Sequence, residues 1–174
     1  MEILMDIIKI LIPGLLVAGV VYFLISKYMD QENKKRTFEY KIETQKHITP
    51  LRLQAYERAV LYLERISPNS IILRTYKAGM SAKLLQADII KAIREEYEHN
   101  MAQQIYISPG GWNMLKQAKD ETTKMINLAA MHVTDDAGGN DLAQLIFEAI
   151  SKMEKLPTDI AITYLKNDLQ KTFG

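Results

Sequence analysis

Glu96 and His99 stand three residues apart in the run EYEHNMAQQIYIS, and they are the side chains here best suited to hold a metal ion. A Glu-x-x-His on one helix face is a spacing used by carboxylate-bridged di-iron bundles. That architecture needs a second such pair and two more glutamates on facing helices. No second Glu-x-x-His exists in this chain, and His47 and His132 lie in unrelated contexts. No metal is therefore assigned, and a metal-dependent enzyme or sensor on Glu96 and His99 is the alternative reading. The same face has a packing interpretation. Leu85, Ile89, Ala92 and Ile93 form an apolar stripe that, continued at helical spacing, meets Glu96, His99, Asn100 and Gln103. Either these polar groups form a network that fixes one helix against another, or the stripe shifts to Ile90, Ile93, Tyr97, Met101 and Ile105 and leaves them in water.

Other chemistry falls away by residue type. The chain has no cysteine, which removes disulfides, iron–sulfur clusters and thiol catalysis. Ser108-Pro109-Gly110-Gly111 lacks the longer glycine pattern and the lysine of a phosphate loop, so it reads as a turn that starts a helix. The acidic loop TDDAGGN, 134–140, does not have the spacing of a calcium loop. No serine sits in a recognisable nucleophile arrangement. Net charge is +1 and no basic, aromatic-interleaved patch appears, so nucleic acid is not an expected partner. The expectation is a protein that is not an enzyme, with no catalytic residue and no cofactor.

The elements that would position these residues begin with Ile10–Ser26, ILIPGLLVAGVVYFLIS, which holds no charged residue. Together with residues 7–9 it is long enough, at about 1.5 Å per residue, to match the roughly 30 Å core of a bilayer. The start is acidic (Glu2, Asp6), and the apolar run continues past the only small pair, Ala18-Gly19, so the sequence favours an uncleaved anchor over a secretory signal. Lys9 can carry its ammonium to the interface. Basic residues concentrate after the span (Lys27, Lys34, Lys35, Arg36, Lys41), which places the N-terminus outside and the C-terminal part in the cytoplasm. Lys34, Lys35 and Arg36 are also candidates for anionic lipid contact. Gly14 and Ala18 form a small-xxx-small pair at which another helix can approach, and a homo-oligomer is among the allowed states.

From Lys27 to Ile48 good helix formers dominate, predicting a helical stalk. Thr49-Pro50 has the form of a cap followed by a first-turn proline, predicting a new helix there. That helix, Leu51–Ile66, carries an apolar arc of about 200°, nearly twice what a surface helix needs. Ile71–Leu73 reads as a short connector, and Ser81 as the cap of a helix from about Ala82 to Tyr106. Three more helices follow: one with Trp112 and Leu115 inward, one with Leu142 and Ile146 inward, and one starting near Thr158. Strand signals are nearly absent.

The runs LRLQAYERAVLYLERISP and EYEHNMAQQIYIS, followed by Trp112, resemble an uncharacterised family of single-span membrane proteins from Bacteroidetes bacteria. The resemblance implies a bacterial inner membrane and carries no activity.

The expected architecture is all-α: a transmembrane anchor over 1–28, a helical stalk over 29–48, and a cytosolic bundle of about five helices over 49–174. The expected function is that of an accessory or scaffolding subunit of a larger inner-membrane complex. Its candidate partner-binding residues are Leu51, Ala55, Tyr62, Ile66, Glu96, His99, Asn100, Gln103 and Trp112, with the bilayer contacted through residues 7–26.

Overall fold

In the computed structural model the backbone is described for residues 2–134 and 136–173, and side chains for residues 7, 9, 11, 12, 14–134 and 136–171. The elements are all helical: α1 (Glu2–Ile66), α2 (Pro68–Thr75), α3 (Ala82–Asn100), a 3-10 turn (Met101–Ile105), α4 (Pro109–Ala130), α5 (Gly139–Ser151) and α6 (Pro157–Phe173). Among the described residues the only extended pairing is an isolated bridge between Ser81 and Gly138. Contacts within the chain divide it into two compact units, Met1–Thr49 and Pro50–Gly174.

The first unit is helix alone. Among the described residues its apolar side chains are exposed: Leu15, Leu16, Val17 and Phe23 by 62–66%, and Val20, Leu24 and Ile25 as well. Among the described residues no helix is long and apolar enough to cross a membrane. The expected contact over 7–26 takes in Ile8, Ile10 and Pro13, whose side chains lie outside the described residues, as do those of Glu2 and Asp6. Further on, Lys35 pairs with Glu39 at 4.0 Å and Arg36 with Glu32 at 3.2 Å, each one helical turn apart. Exposed pairs of this kind stabilise a helix by only about 0.3–0.5 kcal/mol each.

Thr49-Pro50 does not open a new helix, since both residues lie inside α1. A residue before proline is biased away from the α region by the proline ring, but that bias is outweighed where helix formers run on both sides.

The second unit is built around the end of α1. Ala55, Tyr56, Ala59, Tyr62, Leu63 and Ile66 are all buried, as the wide arc predicted, whereas Leu51 and Leu53 at its N-terminal end are exposed. The predicted connector is the helix α2, which buries Ile71 and Ile72. Gly79, at φ +80°, turns the chain back in a conformation that costs a residue with a Cβ about 1–2 kcal/mol. The Ser81 hydroxyl caps α3 by accepting from the Leu84 amide at 3.2 Å. The loop before α5 is tied to this cap: the Ala82 amide donates to Ala137 O at 3.0 Å and the Gly139 amide to Met80 O at 2.7 Å. Helix α3 ends at Asn100, short of the expected Tyr106. Ser108 caps α4 by accepting from the Gly111 amide at 2.9 Å. Helix α4 pairs closely with α6. Gly111 permits it, because a Cβ there would come within 3.0 Å of both Ile107 and Leu165.

Candidate functional site

The polar face of α3 becomes an ion-pair centre between α1, α2 and α3. The Glu96 carboxylate is mostly buried, and its Oε1 accepts from Arg65 Nε at 2.8 Å and from Arg74 Nη1 at 3.0 Å. Arg74 Nη2 also donates to the Arg65 backbone carbonyl at 3.4 Å, which ties the end of α2 to the last turn of α1. Asn100 is buried, and its amide nitrogen donates to the Glu96 carbonyl at 2.8 Å, closing the last turn of α3. His99 is exposed and Gln103 is half-buried in the 3-10 turn. The stripe Ile89–Ile93 keeps its phase through Tyr97, and then the helix stops. Ile105, the last member of the shifted stripe, is 77% exposed.

Glu96 Oε1 is thus already occupied by donors from two guanidiniums. Among the described residues no group of three or more His, Asp or Glu is placed to hold a metal ion. Around the ion pair lies a polar cleft of about 520 Å³, lined by Arg65, Arg74, Ala92, Glu95, Glu96 and His99. A second cleft of about 370 Å³ continues it along α1, past Arg58, Leu61 and Gln54.

The other candidates divide by burial. Ala55, Tyr62, Ile66 and Trp112 are committed to the unit's own core. Their apolar surface meets other helices of the same unit. Tyr62 packs on Tyr97, with ring centroids 6.2 Å apart, and Tyr97 on Trp112 at 5.9 Å. Burial, then the nearby Tyr97, Asp120 and Glu96, push the Tyr62 phenol well above its ordinary pKa, and among the described residues its hydroxyl has no hydrogen-bond partner. Leu51 remains exposed, together with Glu96, His99 and Gln103 in whole or part.

The surface α1 does leave open lies on its other side. An apolar groove of about 460 Å³ runs between α1 and α6, with Val60, Leu165 and Leu169 inside it and Leu53 and Leu61 at its rim. Leu53 is 52% exposed and Leu61 54%. Glu57 and Leu61 line both this groove and the polar cleft, so one exposed strip of α1 separates the two. The sequence held a signal for this strip. Leu61 stands off the apolar arc, among Gln54, Glu57, Arg58, Glu64 and Arg65.

The floor of the groove is fixed by a network that joins three helices through one oxygen. Asp168 Oδ2 accepts from the Tyr56 hydroxyl at 2.5 Å and from the Ser108 hydroxyl at 2.5 Å. The Ser108 amide in turn donates to the Tyr56 oxygen at 3.2 Å. Burial and the bond to Asp168 raise the Tyr56 pKa above its ordinary value. A further apolar pocket of about 470 Å³ lies between α4 and α5, with Met125, Leu128, Leu145 and Met153 in it and Lys124 and Glu148 at its edge.

Fold and surface together define an all-α protein whose second unit offers clefts and a groove on one helix. A family model covers residues 2–172, and the chain belongs to that family, DUF7935, a family of unknown function. No curated protein and no solved structure matches the chain.

Proposed function

We propose that this chain is a membrane-anchored accessory or scaffolding subunit of a larger assembly, working through protein contacts and not through turnover. The observation that carries the reading is the apolar surface α1 leaves uncovered. Between Leu11 and Ile25 the described large apolar side chains stand exposed. Burying one such side chain fully is worth about 1.5–3 kcal/mol, so a water-exposed state of the whole run is strongly disfavoured and a bilayer is the natural medium. Lys27 lies over the Phe23 ring at 5.7 Å, an arrangement suited to a membrane interface. The concentration of lysine and arginine after the run supports an N-terminus outside and residues 50–174 at the cytoplasmic face of a bacterial inner membrane. The Bacteroidetes origin and the single span belong to the same reading. Lys34 is the member of the basic cluster best placed for anionic lipid, since Lys35 and Arg36 are paired with glutamates.

The contact role rests on the strip carrying Leu53 and Leu61 beside the apolar groove. Exposed apolar surface next to a groove, rimmed by charge, is the usual form of a protein-binding site. Fractionation of cells expressing the full chain tests the anchor. The protein is expected in the membrane pellet and retained there after an alkaline carbonate wash. Release by carbonate would end the anchor reading. Leu61→Asp tests the contact role, and is expected to shift the protein to a smaller native complex while His99→Gln leaves the complex intact.

A further inference from the structure

We infer that the partner on this strip is a second copy of the same chain, docked α1 to α6 across a two-fold axis. The inference deepens the contact-driven reading above and rests on it. Two features of the surface point to a copy over an unrelated protein. The first is that knob and hole occur on one patch: exposed Leu61 projects at the rim of a groove floored by Val60, Leu165 and Leu169. A two-fold axis sets a patch against itself, so that each residue i meets j while j meets i. Leu61 of each copy then packs over the rim of the other's groove beside the two-fold axis, where the two leucines meet and leave water together.

The second feature is charge. Glu57 lines the α1 wall of the groove and Lys166 the α6 wall. Among the described residues neither has an ion-pair partner. The same two-fold that places α1 against the other copy's α6 brings each Glu57 to the other copy's Lys166. A helix from an unrelated protein would have to supply a leucine and both charges in matching order. A second copy already has them. Membrane tethering adds to this, because it holds copies in one plane and one orientation at high effective concentration, so that a groove of this size suffices.

The absence of cysteine makes the test direct. Full-length Leu61→Cys in native membranes is oxidised and compared with Leu73→Cys, whose position on α2 is 79% exposed and outside the groove. The expected result is a disulfide-linked dimer for Leu61→Cys and little for Leu73→Cys. Glu57→Lys or Lys166→Glu in the Leu61→Cys background should each lower the dimer yield roughly fivefold, and the two combined should restore it. Circular dichroism of each purified variant confirms that these exposed substitutions leave the fold unchanged. Equal cross-linking at both cysteines, an adduct with a different protein, no adduct in the membrane fraction, or failure of the charge exchange to restore pairing would each overturn the inference. A Leu61→Cys dimer in protein released by carbonate would overturn the anchor alone and leave the dimer standing.

Discussion

Tyr56 and Tyr62 are both buried on the same helix, yet the structure gives their hydroxyls opposite roles. The Tyr56 hydroxyl donates to Asp168 and accepts from the Ser108 amide, so Tyr56→Phe removes a bond to a carboxylate and strands an amide. The expected loss is roughly 1–3 kcal/mol by denaturant unfolding. The Tyr62 hydroxyl is buried without a partner, and Tyr62→Phe is expected to be neutral or to stabilise by up to about 1 kcal/mol. A larger loss at Tyr62 than at Tyr56 would contradict the assignment. Both phenols have pKa values raised in the folded state. A raised folded value means the contribution is complete below the unfolded value of about 10 and is lost as pH climbs through the folded value. The unfolding midpoint should therefore fall from about pH 10 upward, and less steeply in Tyr62→Phe. A midpoint flat to about pH 11 in the wild type would show that these groups are not buried as described. None of this was readable from the chain. Glu96 was legible as an oddly placed polar residue, but Arg65 and Arg74 lie 31 and 22 positions away and have no local signature. Tyr56 and Asp168, 112 positions apart, are further still.

The second half of α1 offers a sharp contrast between two leucines two positions apart. Leu63 is fully buried and Leu61 is 54% exposed. In the monomeric state at high dilution, Leu63→Ala should cost about 2–5 kcal/mol and Leu61→Ala no more than about 0.5, measured under the same unfolding conditions. Similar losses at both would place the helix in a different rotation. Gly111→Ala is expected to cost about 1–3 kcal/mol, because Ile107, Leu165 and Asp168 all stand within 3.2 Å of the added carbon. Local devices such as the Ser81 and Ser108 caps were legible because cap and capped amide are three residues apart. The continuation of α1 through Thr49-Pro50 was not, since cap-like residues followed by proline describe a permitted helix start without requiring one. The connector Ile71–Leu73 proved helical for a similar reason: its short apolar run has no period long enough to separate helix from loop.

At the scale of the molecule, residues 50–174 hold their own core of buried apolar side chains from every helix. A fragment from Thr49 onward should unfold in one cooperative, mostly helical transition that added chelator does not shift. A chelator-sensitive transition would return Glu96 and His99 to consideration as ligands. The proposed topology is checked by single cysteines in this cysteine-free chain. In intact cells an impermeant thiol reagent should label Glu2→Cys, and reach Lys171→Cys only after lysis; the reverse pattern would end the orientation.

Asp168 also bears on how the molecule is made. It lies on α6, which leaves the ribosome after both helices it joins, the end of α1 and the start of α4. Until α6 is synthesised, Tyr56 and Ser108 have no carboxylate to meet and Leu165 cannot cover the α4 turn. A chain interrupted before that point presents an open bundle, with apolar helix faces turned to water. In the membrane-anchored reading, such a chain would be held at the bilayer by α1 while unfinished. Docking of α6 is then the event that closes the bundle and withdraws those faces from the proteases of the cell.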